Sequence, residues 1–165
     1  MNKKIILMAA LLVLAISALA WVARPTGTNN TANVKSVSNG VLATEENAFD
    51  FGDISMAAGK VNHSFKIKNT GLEKISIEKI YTSCMCTEAT LTANSKEYGP
   101  YGMAGHGFIP KINAELAPGE EASISVIFDP AAHGPAGVGK IQRSIYLENN
   151  AGTPLELHFS ATVTP

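Results

Sequence analysis

Residues 156–163 read Glu156-Leu157-His158-Phe159-Ser160-Ala161-Thr162-Val163, an unbroken alternation of polar and apolar side chains. Successive side chains of an extended chain point to opposite faces, so this stretch is a strand with one face buried and one face wet. The same period of two recurs upstream. Val61, Phe65 and Ile67 alternate with Asn62, Ser64, Lys66 and Lys68. Ala122, Ile124, Val126 and Phe128 alternate with Ser123 and Ser125, and Ile141, Ile145 and Leu147 with Gln142, Ser144 and Glu148. Turn-forming clusters separate these runs: Ala58-Gly59-Lys60, Asn69-Thr70-Gly71, Pro118-Gly119-Glu120 and Asn149-Asn150-Ala151-Gly152. Shorter strands are expected at 49–54, 75–81 and 112–116. About seven short strands at this spacing predict an all-β antiparallel β-sandwich over residues 48–165.

The chain ahead of the sandwich has a different character. Lys3 and Lys4 precede residues 5–23, which carry no charge. Two lysines before an apolar run match a secretory signal, with Ala18-Leu19-Ala20 as a small-x-small cleavage option. The run is also long enough, at about 1.5 Å per residue, to cross a bilayer as a helix. Trp21 and Arg24 stand where an interfacial anchor would. Residues 1–24 are therefore assigned to a signal peptide or an N-terminal membrane anchor. Both assignments place the remainder outside the cytoplasm, membrane-tethered or released after cleavage. With no cysteine at the end of the run, a lipoprotein anchor is excluded. Residues 25–47, rich in Thr, Asn, Ser and Gly without a period, read as a flexible linker.

Composition removes several function classes. The net charge is −1 and basic residues form no stripe, which argues against a nucleic-acid partner. Aromatics make up 7% of residues, too few for a base-stacking platform. No Ser/His/Asp constellation, phosphate loop or paired catalytic carboxylates stands out, so the chain is expected not to be an enzyme. The expected partners are the membrane, through the N-terminal segment, and a protein of the cell envelope.

The motifs of the ordered part resemble a known pattern. They run Phe49-Asp50-Phe51-Gly52-Asp53-Ile54, Phe65-Lys66-Ile67-Lys68-Asn69-Thr70-Gly71, Thr82-Ser83-Cys84-Met85-Cys86-Thr87, Leu116-Ala117-Pro118-Gly119-Glu120 and Val126-Ile127-Phe128-Asp129-Pro130. In this order they resemble the bacterial family called domain of unknown function 1573. The resemblance implies an Ig-like sandwich, similar to Hydin-like and major-sperm-protein-like domains, in an extracytoplasmic setting, and it implies no activity. Two departures mark this chain: Met85 stands where the family often has glycine, and a glycine-rich insertion follows the second cysteine.

Cys84 and Cys86 are the only cysteines. On a regular strand they share a face, with Met85 on the other. Their Cα atoms would then lie about 6.5–7 Å apart, at the outer limit for a disulfide. Three readings stand side by side: structural cysteines, including a local disulfide; a metal site; and thiol redox chemistry. For the metal reading, thiolates, Met and His suit Cu(I), and thiolates with imidazole suit Zn. Two glycine-rich loops supply candidates, 94–109 with Met103 and His106, and 129–139 with His133. The first is too long for a hairpin loop. In an up-and-down strand order the connections holding the cysteines and His133 emerge at the same end of the sandwich. The candidate ligands for Cu(I) or Zn are therefore Cys84, Cys86, Met103, His106 and His133. The competing reading is a protein-interaction or envelope-assembly module with structural cysteines. His63 has inward parity and reads as a core-edge residue, while His158 has outward parity and reads as solvated. Arg143 has inward parity between Ile141 and Ile145, so it needs a partner or a sheet-edge position.

Overall fold

The computed structural model of the chain describes residues 38–165, together with Val13, Leu14 and Ser17. The expected anchor over 1–24 and the linker as far as residue 37 thus lie, those three residues apart, outside the described residues. Among the described residues no helix is long and apolar enough to cross a membrane.

Ten strands follow one another: β1 (Leu42–Thr44), β2 (Ala48–Ser55), β3 (Val61–Asn69), β4 (Ile75–Thr82), β5 (Thr87–Ala93), β6 (Lys96–Tyr101), β7 (Ala114–Leu116), β8 (Glu121–Phe128), β9 (Gly139–Asn149) and β10 (Leu155–Thr164). They form two five-stranded sheets, ordered β1-β3-β8-β5-β6 and β2-β10-β9-β4-β7. The alternation that marks the sequence is the alternation of burial. Leu157, Phe159, Ala161 and Val163 of β10 face inward against Ile145 and Leu147 of β9. Phe65 and Ile67 of β3, Ile124 and Val126 of β8 and Leu91 of β5 close the core from the other sheet. Each of the larger side chains among them contributes about 1.5–3 kcal/mol of burial free energy, which is what holds the two sheets together.

The sandwich differs from expectation in four respects. Among the described residues ten strands form rather than about seven. The additional ones are β1, inside the stretch assigned to the linker, and the hairpin β5–β6. The turn of that hairpin and β6 occupy the first half of the expected long loop, 94–109. Asn94 and Ser95 both take positive φ, 52° and 60°, and join Ala93 to Lys96 in a two-residue turn whose left-handed residues match the strand twist. Third, the structure is not wholly antiparallel, because β2 runs parallel to β10. At the break in their register Gly52 has φ 70°, and its N–H donates to Asp50 Oδ1 at 3.1 Å, a bulge that needs a residue tolerant of left-handed backbone. Fourth, Cys84 and Cys86 lie on no strand. They sit in the turn joining β4 of one sheet to β5 of the other.

Candidate functional site

Strand β4 ends at Thr82, and the chain must cross to the opposite sheet within four residues. The N–H of Thr87 donates to the carbonyl of Cys84 at 3.1 Å, closing a β-turn around Met85 and Cys86. Two further contacts fix it. The buried Thr82 hydroxyl lies 2.9 Å from the Cys84 carbonyl and 3.0 Å from that of Thr87. The Asp129 N–H donates to the Cys86 carbonyl at 2.9 Å, tying this turn to the β8–β9 loop. Met85 projects outward, 54% exposed. The two cysteines turn inward and join the edge of the core, 8% and 3% exposed.

The β8–β9 loop brings His133 to them. It precedes a 3-10 turn at Gly134–Gly137, and a side chain at Gly137 would press to within 3.2 Å of the His133 Cβ. Nε2 of His133 lies 3.1 Å from Cys84 Sγ. The Cys84 and Cys86 sulfurs and a His133 ring nitrogen all lie within 4.8 Å of one another. Three of the five residues proposed from sequence are thus brought together. Met103 comes near through its backbone, in a parallel bridge to Thr82, while the Thr82 N–H donates to Gly102 O at 3.0 Å. His106 is exposed, its N–H closing a turn onto Met103 O at 3.3 Å, and it does not join the group.

Sequence reasoning left Arg143 outside the candidate ligands, yet it belongs to the site. Beyond Ser83, which pairs with Ser144, β4 no longer covers β9. The half-buried Arg143 side chain occupies this end, its Nε–H donating to Cys86 Sγ at 3.4 Å and its Nη1 to Gln142 O at 2.8 Å. The inward parity of an arginine was the signal: its partner is a thiol rather than a carboxylate.

These contacts make the two thiols unequal. Burial pushes both up. For Cys84 it is outweighed by hydrogen bonds from the Cys86 side chain, from His133 and from the Cys86 N–H, together with the Arg143 charge, which bring the thiol down to about 7. For Cys86 burial prevails, reinforced by its role as donor to Cys84 and only partly offset by Arg143, so its pKa is raised. Where the pair carries a thiolate near neutral pH, it is on Cys84, with the Arg143 guanidinium close by. A thiol of lowered pKa, a second thiol and an imidazole form a donor set that could hold a soft cation.

The remaining histidines lie elsewhere. His63 stacks on Phe49 with ring centroids 3.6 Å apart, and its Nε2 meets Glu46 Oε2 at 2.8 Å. His158 Nδ1 and the Ser144 hydroxyl are 2.9 Å apart on the outer face. Glu156, 3.9 Å from Nε2, is too far for a hydrogen bond, so this pair is not a completed triad.

Comparison with known proteins places the fold. The chain superposes on a protein of unknown function from Porphyromonas gingivalis W83 with TM-score 0.56 and 15% identity, over 81% of this chain and 51% of that one. It therefore spans about half the length of that structure. Vibrio cholerae VesB protease matches with TM-score 0.49 and 16% identity over 79% of this chain and 33% of the protease. PapD-like domain 7 of human CEP192 matches with TM-score 0.43 and 12% identity, over 79% and 87% of the two chains. At 15% identity the likeness to the Porphyromonas gingivalis protein is one of fold. No curated protein matches the sequence. Residues 42–105, which span β1 to β6 and both cysteines but stop short of His133 and Arg143, match the family described as Protein of unknown function (DUF1573), the family that the sequence motifs resemble.

Proposed function

We propose that this chain is a non-catalytic Ig-like domain that holds a soft metal ion, Cu(I) or Zn(II), on Cys84, Cys86 and His133. The observation that carries the reading is the convergence of two sulfurs and an imidazole nitrogen from two separate inter-sheet connections within 4.8 Å. Metal–sulfur bonds of about 2.3 Å and metal–nitrogen bonds of about 2.0–2.1 Å put ligand atoms roughly 3.5–4 Å apart, so the 3.1 Å between Cys84 Sγ and His133 Nε2 would open slightly as an ion replaces the shared proton. Charge favours Cu(I). Two thiolates around a monovalent ion leave one negative charge, which the Arg143 guanidinium offsets. Zn(II) would be neutralised by the thiolates alone and would need a fourth ligand, for which the backbone-bridged Met103 is poorly suited as a thioether. In this reading the domain works outside the cytoplasm, tethered or delivered by residues 1–24, an assignment that rests on the sequence of that segment.

The test is titration of the reduced protein with Cu(I), and separately with Zn(II), against a chromophoric chelator. One equivalent should bind, and the Cys84→Ser, Cys86→Ser double variant should bind none. Equal affinity of wild type and double variant would sink the metal reading. One observation favours the alternative, an interaction module with structural cysteines: both cysteines also pack in the core cluster. On that reading the double variant loses stability while metal addition leaves the wild-type melting temperature unchanged.

A further inference from the structure

We propose that the same site is gated by thiol oxidation: Cys84 and Cys86 close an intramolecular disulfide by exchange with a small-molecule disulfide, and the closed form releases the metal. The inference rests on the metal reading above for its consequence but on separate geometry for its chemistry. Cysteines two apart on an extended strand sit at the outer limit of bridging distance, whereas here they are the first and third residues of a β-turn, where the backbone folds back on itself. Here the turn from Cys84 to Thr87 is closed by a 3.1 Å hydrogen bond. The Cys84 side chain is folded back across it, its Sγ accepting from the Cys86 N–H at 3.4 Å. The two sulfurs are already within 4.8 Å, so reaching the bonded separation of about 2.05 Å takes at most about 3 Å of closure. Both are free thiols.

The order of events follows from what covers each sulfur. Cys84 lies under the exposed His133, whose side chain makes no capping hydrogen bond to its own turn. Cys86 lies deeper, between Arg143 and Thr87. Displacement of His133 opens Cys84 first. Its thiolate attacks one sulfur of the external disulfide, forming a mixed disulfide and expelling one small thiol. Cys86 then attacks the Cys84 sulfur and expels the second. Both protein thiols are oxidised, one external disulfide is reduced to two thiols, and the two thiol protons leave with them. The reverse exchange restores the site. Since the bond consumes both thiolates, the oxidised form offers only the His133 imidazole, and a bound ion in turn shields both sulfurs from attack.

The experiment incubates the full chain in glutathione buffers of increasing oxidised fraction, then alkylates free thiols and measures intact mass alongside Cu(I) and Zn(II) binding. The expected product is a monomer lacking two hydrogens and refractory to alkylation. It should bind metal more than about 100-fold more weakly than the reduced protein, since loss of supporting groups alone costs about 10–100-fold, and dithiothreitol should reverse both changes. Cys86→Ser should stop at the glutathione adduct on Cys84, and metal-loaded protein should oxidise more slowly than metal-free protein. Glutathione adducts or disulfide-linked dimers in place of the closed monomer would overturn the proposal, as would undiminished metal binding after closure. If the disulfide forms but the reduced protein binds no metal, the reading of the preceding subsection fails and the gating with it. If the reduced protein binds metal and no disulfide forms, only the present inference fails.

Discussion

The unequal thiols give a direct test of the site without any metal. A thiol with a pKa of about 7 is about half ionised at neutral pH, whereas an ordinary cysteine near 8.5 is about 3% ionised. Thiolate content therefore favours Cys84 by roughly fifteenfold at pH 7. Reaction rates will show much less of this. Nucleophilicity falls with pKa at a Brønsted slope of about 0.4–0.5, which takes back roughly fivefold over this interval, and the cover of His133 takes back more. The quantity to measure is thus the ionisation itself. The chain holds only two cysteines, so the ultraviolet thiolate absorbance of the reduced protein, with the Cys84→Ser, Cys86→Ser variant as blank, reads the pair alone. One thiolate is expected to appear around pH 7 and the second only above the ordinary cysteine range. Replacing His133 by Ala removes one of the donors that lower Cys84 and should move the first step upward. The sign for stability follows. Cys84 is depressed in the folded state, so its contribution is full above the unfolded value and is lost as pH falls through about 7; Cys86, raised, acts in the opposite direction at higher pH. Two thiolates rising together at an ordinary cysteine pKa, with no response to His133→Ala, would refute the electrostatic picture of the site.

Three other outcomes are expected. Thr82→Val keeps the shape but removes the hydroxyl that ties Cys84 O and Thr87 O; it should cost about 1–3 kcal/mol in urea unfolding and weaken metal binding more than His63→Ala does. Gly137→Ala should lower metal affinity while leaving the far-ultraviolet circular dichroism unchanged, because its Cβ would press on His133 from 3.2 Å while the sheets lie elsewhere. Phe159→Ala, at a fully buried position against Phe51 and Phe128, should cost about 3–5 kcal/mol, measurable as a fall in the denaturant midpoint.

The long alternations were legible because they are written in large side chains. Phe65, Ile67, Ile124, Val126, Leu157 and Phe159 all announce an inward face, and all are buried. Strand β5 obeys the same rule in Thr87, Ala89, Leu91 and Ala93, with Glu88, Thr90 and Thr92 between them, but small and β-branched polar residues carry the pattern, and hydropathy barely registers it. Its hairpin turn was hidden for a similar reason. Asn94-Ser95 performs the left-handed two-residue turn that glycine usually signals. Pairing direction was never encoded: alternation sets which face is buried and is silent about whether β2 runs with β10 or against it.

The site shows which inferences from a sequence travel. The convergence of Cys84 and Cys86 with His133 depended only on which end of the sandwich each connection leaves, a parity that survived the change from about seven strands to ten. The local conformation of the cysteines did not survive. Ser83-Cys84-Met85-Cys86 contains no Gly, Pro, Asn or Asp, so nothing in it signals a turn; the turn is imposed by the need to pass from one sheet to the other directly after β4. That crossing has a chemical consequence. A strand would have held the sulfurs side by side on one face, fit for shared ligation and awkward for bonding to each other. The turn folds Cys84 back onto the Cys86 amide and leaves room for the Arg143 guanidinium beside Cys86. The same imposed geometry that gathers two sulfurs and an imidazole within 4.8 Å also brings the two thiols toward each other, so the ligation and the oxidation proposed above would be competing states of one turn rather than rival explanations of it.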